Sequence, residues 1–358
     1  MIRIRRIESR PLDLRLHEPF GISGGAQDAV RNVLVRVELA SGAVGWGEAA
    51  PLPAYNGETQ EAALAVLRRN EASLVGPSFA GWRAAADRLR AQGGSGCGSA
   101  QCGFEMALLD ALTREQGGSL TSFFGGAETR LETDMTITTG SVDDARRGVA
   151  KIHELGIRVI KVKVGGKSGV ALDRARLGAI HAAAPTAPLI LDGNAGLSRA
   201  DAAALAAGLK ADGIAPALLE QWLAKDDLVG LREQRETTGW AVAADESVVY
   251  PVDALRVAHA QAADFVNIKL MKAGVAAALD VVRVARETGL GLMIGGNVES
   301  ILAMTFSACF AAGLGGFKYA DLDTPLFLAE NPFEGGYVRT GGMLDVSDIT
   351  AGHGVVPF

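Results

Sequence analysis

Cysteine is scarce in this sequence: Cys97, Cys102 and Cys309 are the only three in 358 residues. Their number is odd and none has C-x-x-C spacing, which excludes a disulfide framework or a zinc ribbon and points to a reducing compartment. Histidine is thin too. The five (His17, His153, His181, His259, His353) are scattered, and none ends a predicted barrel strand. A histidine–zinc site or a histidine base is therefore not expected. Positive charge is in deficit, 35 Lys and Arg against 41 Asp and Glu, a net charge of -6. No basic field is available for nucleic acid or an anionic membrane. Long apolar runs are missing as well. "DAAALAAGLK" is too short and alanine-rich to span a bilayer. The opening "MIRIRRIESR" carries charge where a secretory signal has an apolar segment. The expectation is a cytoplasmic protein.

The composition is that of a soluble globular chain, 48% hydrophobic and 21% charged, long enough for more than one structural unit. "IRIRRIESRPLDLRL" alternates at period two and predicts a strand or hairpin. "NVLVRVELASGAVGWGEAAP" predicts a hairpin turning at "SG". Helical patterns follow over Thr59–Asn70, Trp82–Ala91 and Ala100–Gln116, with "GGSGCGS" a flexible connector before the last. From about Leu131 the texture changes. Eight apolar strand candidates alternate with seven alanine-rich helical segments, which is a parallel βα repeat. The expected domains are a barrel over 126–323 and a cap built from 1–125 together with 324–358.

Two stretches imitate nucleotide sites. A P-loop ending in "GKS" at 166–168 needs a glycine five residues before Gly166, and that position is Lys161. "GWGEAAP" at 45–51 runs into proline and a turn rather than a helix, so the dinucleotide pattern fails.

The charged residues carry more. Lys163, Asp192, Glu220, Asp245 and Lys269 follow one another at intervals of 29, 28, 25 and 24 residues. Each interval is about one βα unit, and each residue ends a predicted strand. A barrel brings such residues together at its C-terminal mouth, whereas an open sheet spreads them. Strand alternation puts Lys161 and Lys163 on one face, with Val162 and Val164 on the other. Their ammonium groups then lie within about 6–7 Å and repel by roughly 2.5 kcal/mol at an effective dielectric of about 20. That repulsion and burial predict that Lys163, nearer the mouth, is shifted toward the neutral base. The alternative is a solvated edge strand. Asp192, Glu220 and Asp245 converge beside the lysines. Lysines can neutralise them, but three oxygens on rigid strands suit a hard divalent ion, most simply Mg²⁺. Lys269 lies on the sixth strand, opposite the second, so Lys163 and Lys269 can flank a substrate. Two bases on opposite faces of one carbon would invert it.

These motifs, "KVK" (161–163), "DGN" (192–194), "EQ" (220–221), "DES" (245–247) and "NIKLMKAG" (267–274), resemble the enolase superfamily, within it the muconate-lactonizing-enzyme subgroup. General physical chemistry already associates this superfamily with a Lys or His base and Mg²⁺. The resemblance spans nearly the whole chain. It implies a modified TIM barrel, (β/α)₇β, with an α+β cap made from both chain ends. It implies Asp192, Glu220 and Asp245 as ligands of one Mg²⁺, Lys163 and Lys269 as acid/base catalysts, and Asn194 and Glu246 behind the metal ligands. Lys161, Thr136 and Asn297 are expected at the substrate. "DLD" at 321–323 sets Asp321 and Asp323 on one face, suited to a substrate ammonium group or else a solvated strand end. With "NGET" at 56–59 it resembles the dipeptide epimerases. The expected partner is a small dipeptide, a homo-oligomer being left open. The loop 18–27 lacks Arg and Lys, which favours an apolar or uncharged C-terminal residue. Alternatives on the same site are N-acylamino acid racemisation, o-succinylbenzoate synthesis and muconate cycloisomerisation, and beyond them a non-catalytic binding barrel. Trp222 stands where the family has proline, and Asn297 where methionine is common.

Overall fold

The computed structural model describes residues 1–22 and 25–358, apart from the side chains of residues 19, 20, 22, 25–28 and 95. Most side chains of the loop at 18–27, expected to cover the site, therefore lie outside the described residues.

Alternating hydrophobicity near the N-terminus produces a long antiparallel ribbon, Ile2–Ile22 against Gly25–Leu39. It is one strand to residue 22 rather than the shorter hairpin its first fifteen residues allow. Val44–Ala49 adds the next strand after a turn at Gly42 (φ +93°), and Ser78–Phe79 covers the other edge. One face of this sheet, with Val33, Val35 and Val37, packs on helices Gln60–Leu74 and Gly98–Glu115. The second of these helices is buried on nearly every side, because it is wedged between the cap sheet and the barrel. The glycines of "GWG" are a consequence. A Cβ at Gly45 would stand 2.2 Å from Ala107 O, and one at Gly47 2.1 Å from Gly103 O. They permit close strand–helix packing. The connector "GGSGCGS" is not loose either. Gly94–Gly96 form a 3₁₀ turn, and the connector's last two residues open this helix, held by Glu58, whose carboxylate accepts from Gly98 N at 2.8 Å and Ser99 N at 3.0 Å.

The barrel strands are, in order, Met135–Ile137, Ile160–Lys163, Leu189–Asp192, Leu218–Glu220, Val242–Ala244, Phe265–Lys269, Gly291–Gly295 and Phe317–Ala320. All neighbours pair in parallel and in sequence order. An α-helix follows each of the first seven and only a 3₁₀ turn, Thr324–Phe327, follows the eighth, giving the (β/α)₇β form. The ring closes where Thr133 bridges Ala320 and Asp134 N donates to Ala320 O at 2.9 Å. Outward residues such as Val162, Leu191, Leu219, Val266 and Ile294 pack against Val149, Ile180, Leu205 and Val281 of the helices. Each such burial is worth about 1.5–3 kcal/mol. Inward residues Ile190, Leu218, Ala243 and Met293 plug the lower interior. The floor under the mouth is therefore apolar, and the polar residues begin one layer higher.

The C-terminal segment returns to the cap and the barrel's underside. Leu328 bridges Leu16, Gly352 bridges Ser119, and Met343–Asp345 pairs with Arg130–Glu132. Buried Asp110 on the wedged helix accepts from His353 N at 3.0 Å and Trp46 N at 3.0 Å, tying the two chain ends together. Among the described residues no helix is long and apolar enough to cross a membrane.

Candidate active site

Alternation in the second barrel strand turns Val162 to the helices and Lys161 and Lys163 inward, both buried. Lys161 Nζ lies 2.6 Å from Asp321 Oδ2, 2.8 Å from Glu220 Oε2 and 3.0 Å from Asp192 Oδ2. Lys163 Nζ donates to Asp192 Oδ2 at 2.6 Å. The lysines are thus not a bare repelling pair. Burial works to lower the Lys161 pKa, but Asp192, Asp321 and Glu220 outweigh it and hold it well above the usual lysine value. For Lys161 these carboxylates outweigh both burial and the repulsion of a neighbouring ammonium.

Asp192 ends the third strand. Burial works to raise its pKa, yet Lys161 and Lys163 hold it below the ordinary carboxylate range. The chain then turns through Gly193. A Cβ there would meet Trp222 Cα at 2.6 Å, and Trp222 itself is fully buried with Nε1 donating to Leu191 O at 2.9 Å. Asn194, at φ +42°, donates its backbone N–H to Asp192 Oδ1 at 2.9 Å, and its side-chain amide spans Asp192 and Glu246 at 3.4 Å each.

Glu220 ends the fourth strand, its Oε1 accepting from Asn267 Nδ2 at 2.7 Å. Burial and Asp192 push its carboxyl upward. Gln221 follows in the left-handed region at φ +37°, strain typical of functional strand ends. Its Oε1 accepts from Asp245 N at 2.9 Å and Ser247 N at 3.1 Å, which fixes the fourth strand end to the fifth. Asp245 receives Lys269 Nζ at 2.8 Å on Oδ2 and Lys272 Nζ at 2.7 Å on Oδ1. Burial opposes ionisation, but those two ammonium groups hold Asp245 below its usual range. Glu246 behind it is pushed up to about 8 by burial and by Asp245. The Lys269 pKa is raised despite burial, chiefly by Asp245, and its ammonium stands 5.0 Å from the Tyr55 ring.

The last strands supply the remaining groups. Asn297 donates its side-chain amide to Ala50 O of the cap at 2.8 Å. Asp321 meets Lys161, and Asp323 Oδ2 accepts from Thr136 N at 2.6 Å. Asp323 is pushed up to about 7 by burial and by Asp321.

Every residue expected at the site from sequence thus lies at the mouth end of the barrel. Four further residues share it. Tyr55 arrives from the cap, its hydroxyl 3.3 Å from Asp245 Oδ1, and no sequence period links that segment to the barrel. Lys272 Nζ donates to the carbonyls of Asp245, Asn267 and Val248 at 2.7, 2.8 and 3.0 Å. Asn267 and Lys272 sit inside "NIKLMKAG"; period two from Lys269 reaches Asn267, while Lys272 lies past the strand end in the turn Leu270–Lys272. Asp134 is two residues before Thr136, on the same face.

Asp192, Glu220 and Asp245 form a buried all-oxygen donor set on three consecutive strands, which fits a hard divalent ion. Glu220 Oε2 and Asp245 Oδ2 meet only ammonium groups, Lys161 and Lys269, each at 2.8 Å among the described residues. A second acidic group, Asp134, Asp321 and Asp323, brings one oxygen from each within 4.8 Å of the others. The roughly 400 Å³ hollow between helices Arg199–Ala211 and Leu228–Thr238 lies outside the barrel, where alanines such as Ala203 and Ala206 alternate with polar residues such as Lys210 and Glu233, away from the carboxylates of the mouth.

Comparison with known proteins agrees with this architecture. Residues 5–125 match the mandelate racemase/muconate lactonizing enzyme N-terminal domain, and residues 144–357 match the enolase C-terminal domain-like model. The chain is 51% identical over 352 residues, 98% of each, to the aromatic dipeptide epimerase of Herpetosiphon aurantiacus. It is 39% identical to the L-Ala-D/L-amino acid epimerase of Populus trichocarpa, covering 96% of this chain and 83% of that protein. Among solved structures, the dipeptide epimerase of Cytophaga hutchinsonii complexed with Mg and D-Ala-L-Val superposes with TM-score 0.93 at 31% identity, covering 100% and 96% of the two chains.

Proposed function

The chain belongs to the mandelate racemase/muconate lactonizing enzyme family of the enolase superfamily and is an isomerase, and on that premise we propose that it is a Mg²⁺-dependent dipeptide epimerase. It inverts the α-carbon of the C-terminal residue of an L-Ala-Xaa-type dipeptide. The observation that carries this reading is the opposition of Lys163 and Lys269, on strands two and six of eight, across the carboxylates Asp192, Glu220 and Asp245.

One lysine removes the α-proton as the C–H bond breaks, and the other delivers a proton to the opposite face. The intermediate between the two transfers is an enediolate. Its charge develops on the substrate carboxylate, which is the main energetic demand of the reaction. Asp192, Glu220 and Asp245 would hold Mg²⁺, which when bound would supply positive charge against the developing enediolate. Lys161 adds a fixed positive charge, since Asp192, Asp321 and Glu220 keep it protonated. Asp321 and Asp323 take the substrate's ammonium group. Tyr55, Asn194 and Gln221 hold Lys269, Asp192 and Asp245 in register.

An apolar Xaa, aromatic above all, is supported by the name of the relative at 51% identity. Proton exchange tests the reading. With Mg²⁺ in D₂O, L-Ala-L-Phe and L-Ala-L-Leu should lose their C-terminal α-proton signal while the D-epimer accumulates. No exchange with any dipeptide, alongside turnover of N-acylamino acids, would replace this proposal with the racemase reading.

A further inference from the structure

Asp134 is assigned no role in the reaction above. It precedes the first barrel strand and is pinned there by its N–H on Ala320 O at 2.9 Å. Its carboxyl is 1% exposed, and neither oxygen has a hydrogen-bond partner. It is not aimed at the helices or at solvent, because one of its oxygens lies within 4.8 Å of oxygens from both Asp321 and Asp323.

The occupancy of these three carboxylates is uneven. Asp321 Oδ2 is taken by Lys161 at 2.6 Å. Asp323 Oδ2 is taken by Thr136 N at 2.6 Å, and its Oδ1 is unpartnered. Among the described residues no ion pair reaches Asp134 or Asp323, and Lys161 is shared with Asp192 and Glu220. A buried carboxylate without a cation or a donor is unfavourable, and it either protonates or awaits a ligand. Burial and Asp321 accordingly push the Asp134 carboxyl well above its usual value.

Geometry says which cation fits. A primary ammonium has three N–H donors in tetrahedral directions. Three acceptors about 2.8 Å from one nitrogen then stand about 4.6 Å apart. The three carboxylates each offer one oxygen within 4.8 Å of the other two, close enough for one ammonium nitrogen to reach all three. We infer that Asp134 is the third wall of the pocket for the ammonium group of the dipeptide's N-terminal residue. The inference rests on the dipeptide reading and deepens it. Two carboxylates would select a cation, whereas three converging from separate directions select a free primary amine over a secondary or acylated one.

The test compares L-Ala-L-Phe with propionyl-L-Phe, which keeps the shape and lacks the ammonium group, using α-proton exchange in D₂O. In the wild type kcat/KM should favour the dipeptide at least tenfold. In Asp134→Asn, which preserves side-chain volume, that preference ratio should shrink tenfold or more, through KM on the dipeptide. A structural role lowers both substrates alike, so an unchanged ratio overturns the inference. If Asp134→Asn does not fold, Asp134→Ser is put to the same ratio test with the same two outcomes. Failure of the dipeptide reading is distinct: the wild type would then exchange no dipeptide at all.

Discussion

The barrel mouth holds two groups of three carboxylates, and they are treated differently. Asp192, Glu220 and Asp245 each touch at least one lysine, and four lysines crowd around them. Among the described residues, Asp134, Asp321 and Asp323 have one ammonium contact between them, through Asp321. The consequence appears in their acidities. Lysines hold Asp192 and Asp245 ionised against burial, while Asp134 and Asp323 are driven toward the protonated form; each group has one exception, Glu220 being pushed up by burial and Asp192, and Asp321 being held down by Lys161 and Lys163. The first group carries its compensating charge within the fold and can work as fixed electrostatics. The second is short of positive charge until something binds. One end of the site is organised around chemistry, the other around recognition, and substitutions at each should separate accordingly.

The largest effect is expected in the lysine-rich half. Lys163→Ala or Lys269→Ala should each lower inversion by 10³-fold or more, at the upper end of general acid–base contributions. Isotope exchange distinguishes them: each variant should keep exchange from one enantiomer only, because one base remains on one face. Retention of inversion in either variant would remove the two-base scheme and with it the division of labour between the two groups.

At the recognition end, Asp323→Asn should raise KM for dipeptides about 10- to 100-fold, with a smaller change in kcat. The pH profile gives an independent reading. Burial and Asp321 place the Asp323 pKa at about 7. Below that value the carboxyl is protonated and cannot pair with an ammonium, so kcat/KM for L-Ala-L-Phe should fall as pH drops through 7. The same limb should be absent with propionyl-L-Phe. Equal limbs for the two substrates would assign the titration to the catalytic half instead.

How much of this was legible in the sequence depends on distance along the chain. The lysine–carboxylate half comes from successive strand ends, and a fixed βα interval announces it. Period two located Lys161 beside Lys163, and the same rule reaches Asp134 from Thr136; Asp321 and Asp323 lie past the eighth strand's end at Ala320, so the turn after the strand, not strand alternation, brings them together. What the rule could not supply was the ionisation state. Spacing shows the repulsion of Lys163 on Lys161, but Asp192, Asp321 and Glu220 lie 31, 160 and 59 residues from Lys161 and outweigh it there. Tyr55 was invisible for the same reason. "GWG" imitated a nucleotide loop because close packing on Ala107 and Gly103 demands glycine as surely as a pyrophosphate does.

The cap segment that carries Tyr55 offers a smaller test. Helix Gly98–Glu115 has no side-chain cap from its own N-cap residue. Glu58 supplies one, accepting from Gly98 N and Ser99 N. Glu58→Ala should cost about 1–2 kcal/mol of stability. A melt records the loss as a lowered Tm. Because Tyr55 lies three residues away, the variant should also raise KM two- to threefold without moving the dipeptide preference ratio. A change in that ratio would mean that the cap helps to read the ammonium end.

The smallest effect concerns a carboxylate that neither group claims. Glu299 is buried beside Glu48 at the seam between cap and barrel, its Oε1 accepting from Asn297 N at 2.7 Å and its Oε2 unpartnered. Burial, then Glu48, push its pKa from 4.5 up to about 8. A pKa raised in the folded state gives stability that is complete below about 4.5 and is lost as pH rises through about 8. Glutamine keeps the acceptor and cannot ionise. Glu299→Gln should therefore melt close to the wild type at pH 5 and a few degrees above it at pH 9. A pH-independent difference would show that Glu299 carries no such penalty. The same logic separates it from Asp134: Glu299 lies against the seam, so its stability curve should not move when L-Ala-L-Phe is added. Asp134 faces a pocket built for an ammonium, and ligand should relieve its penalty. A Glu299→Gln pH difference that vanished on adding the dipeptide would join the seam to the recognition group and erase the boundary between them.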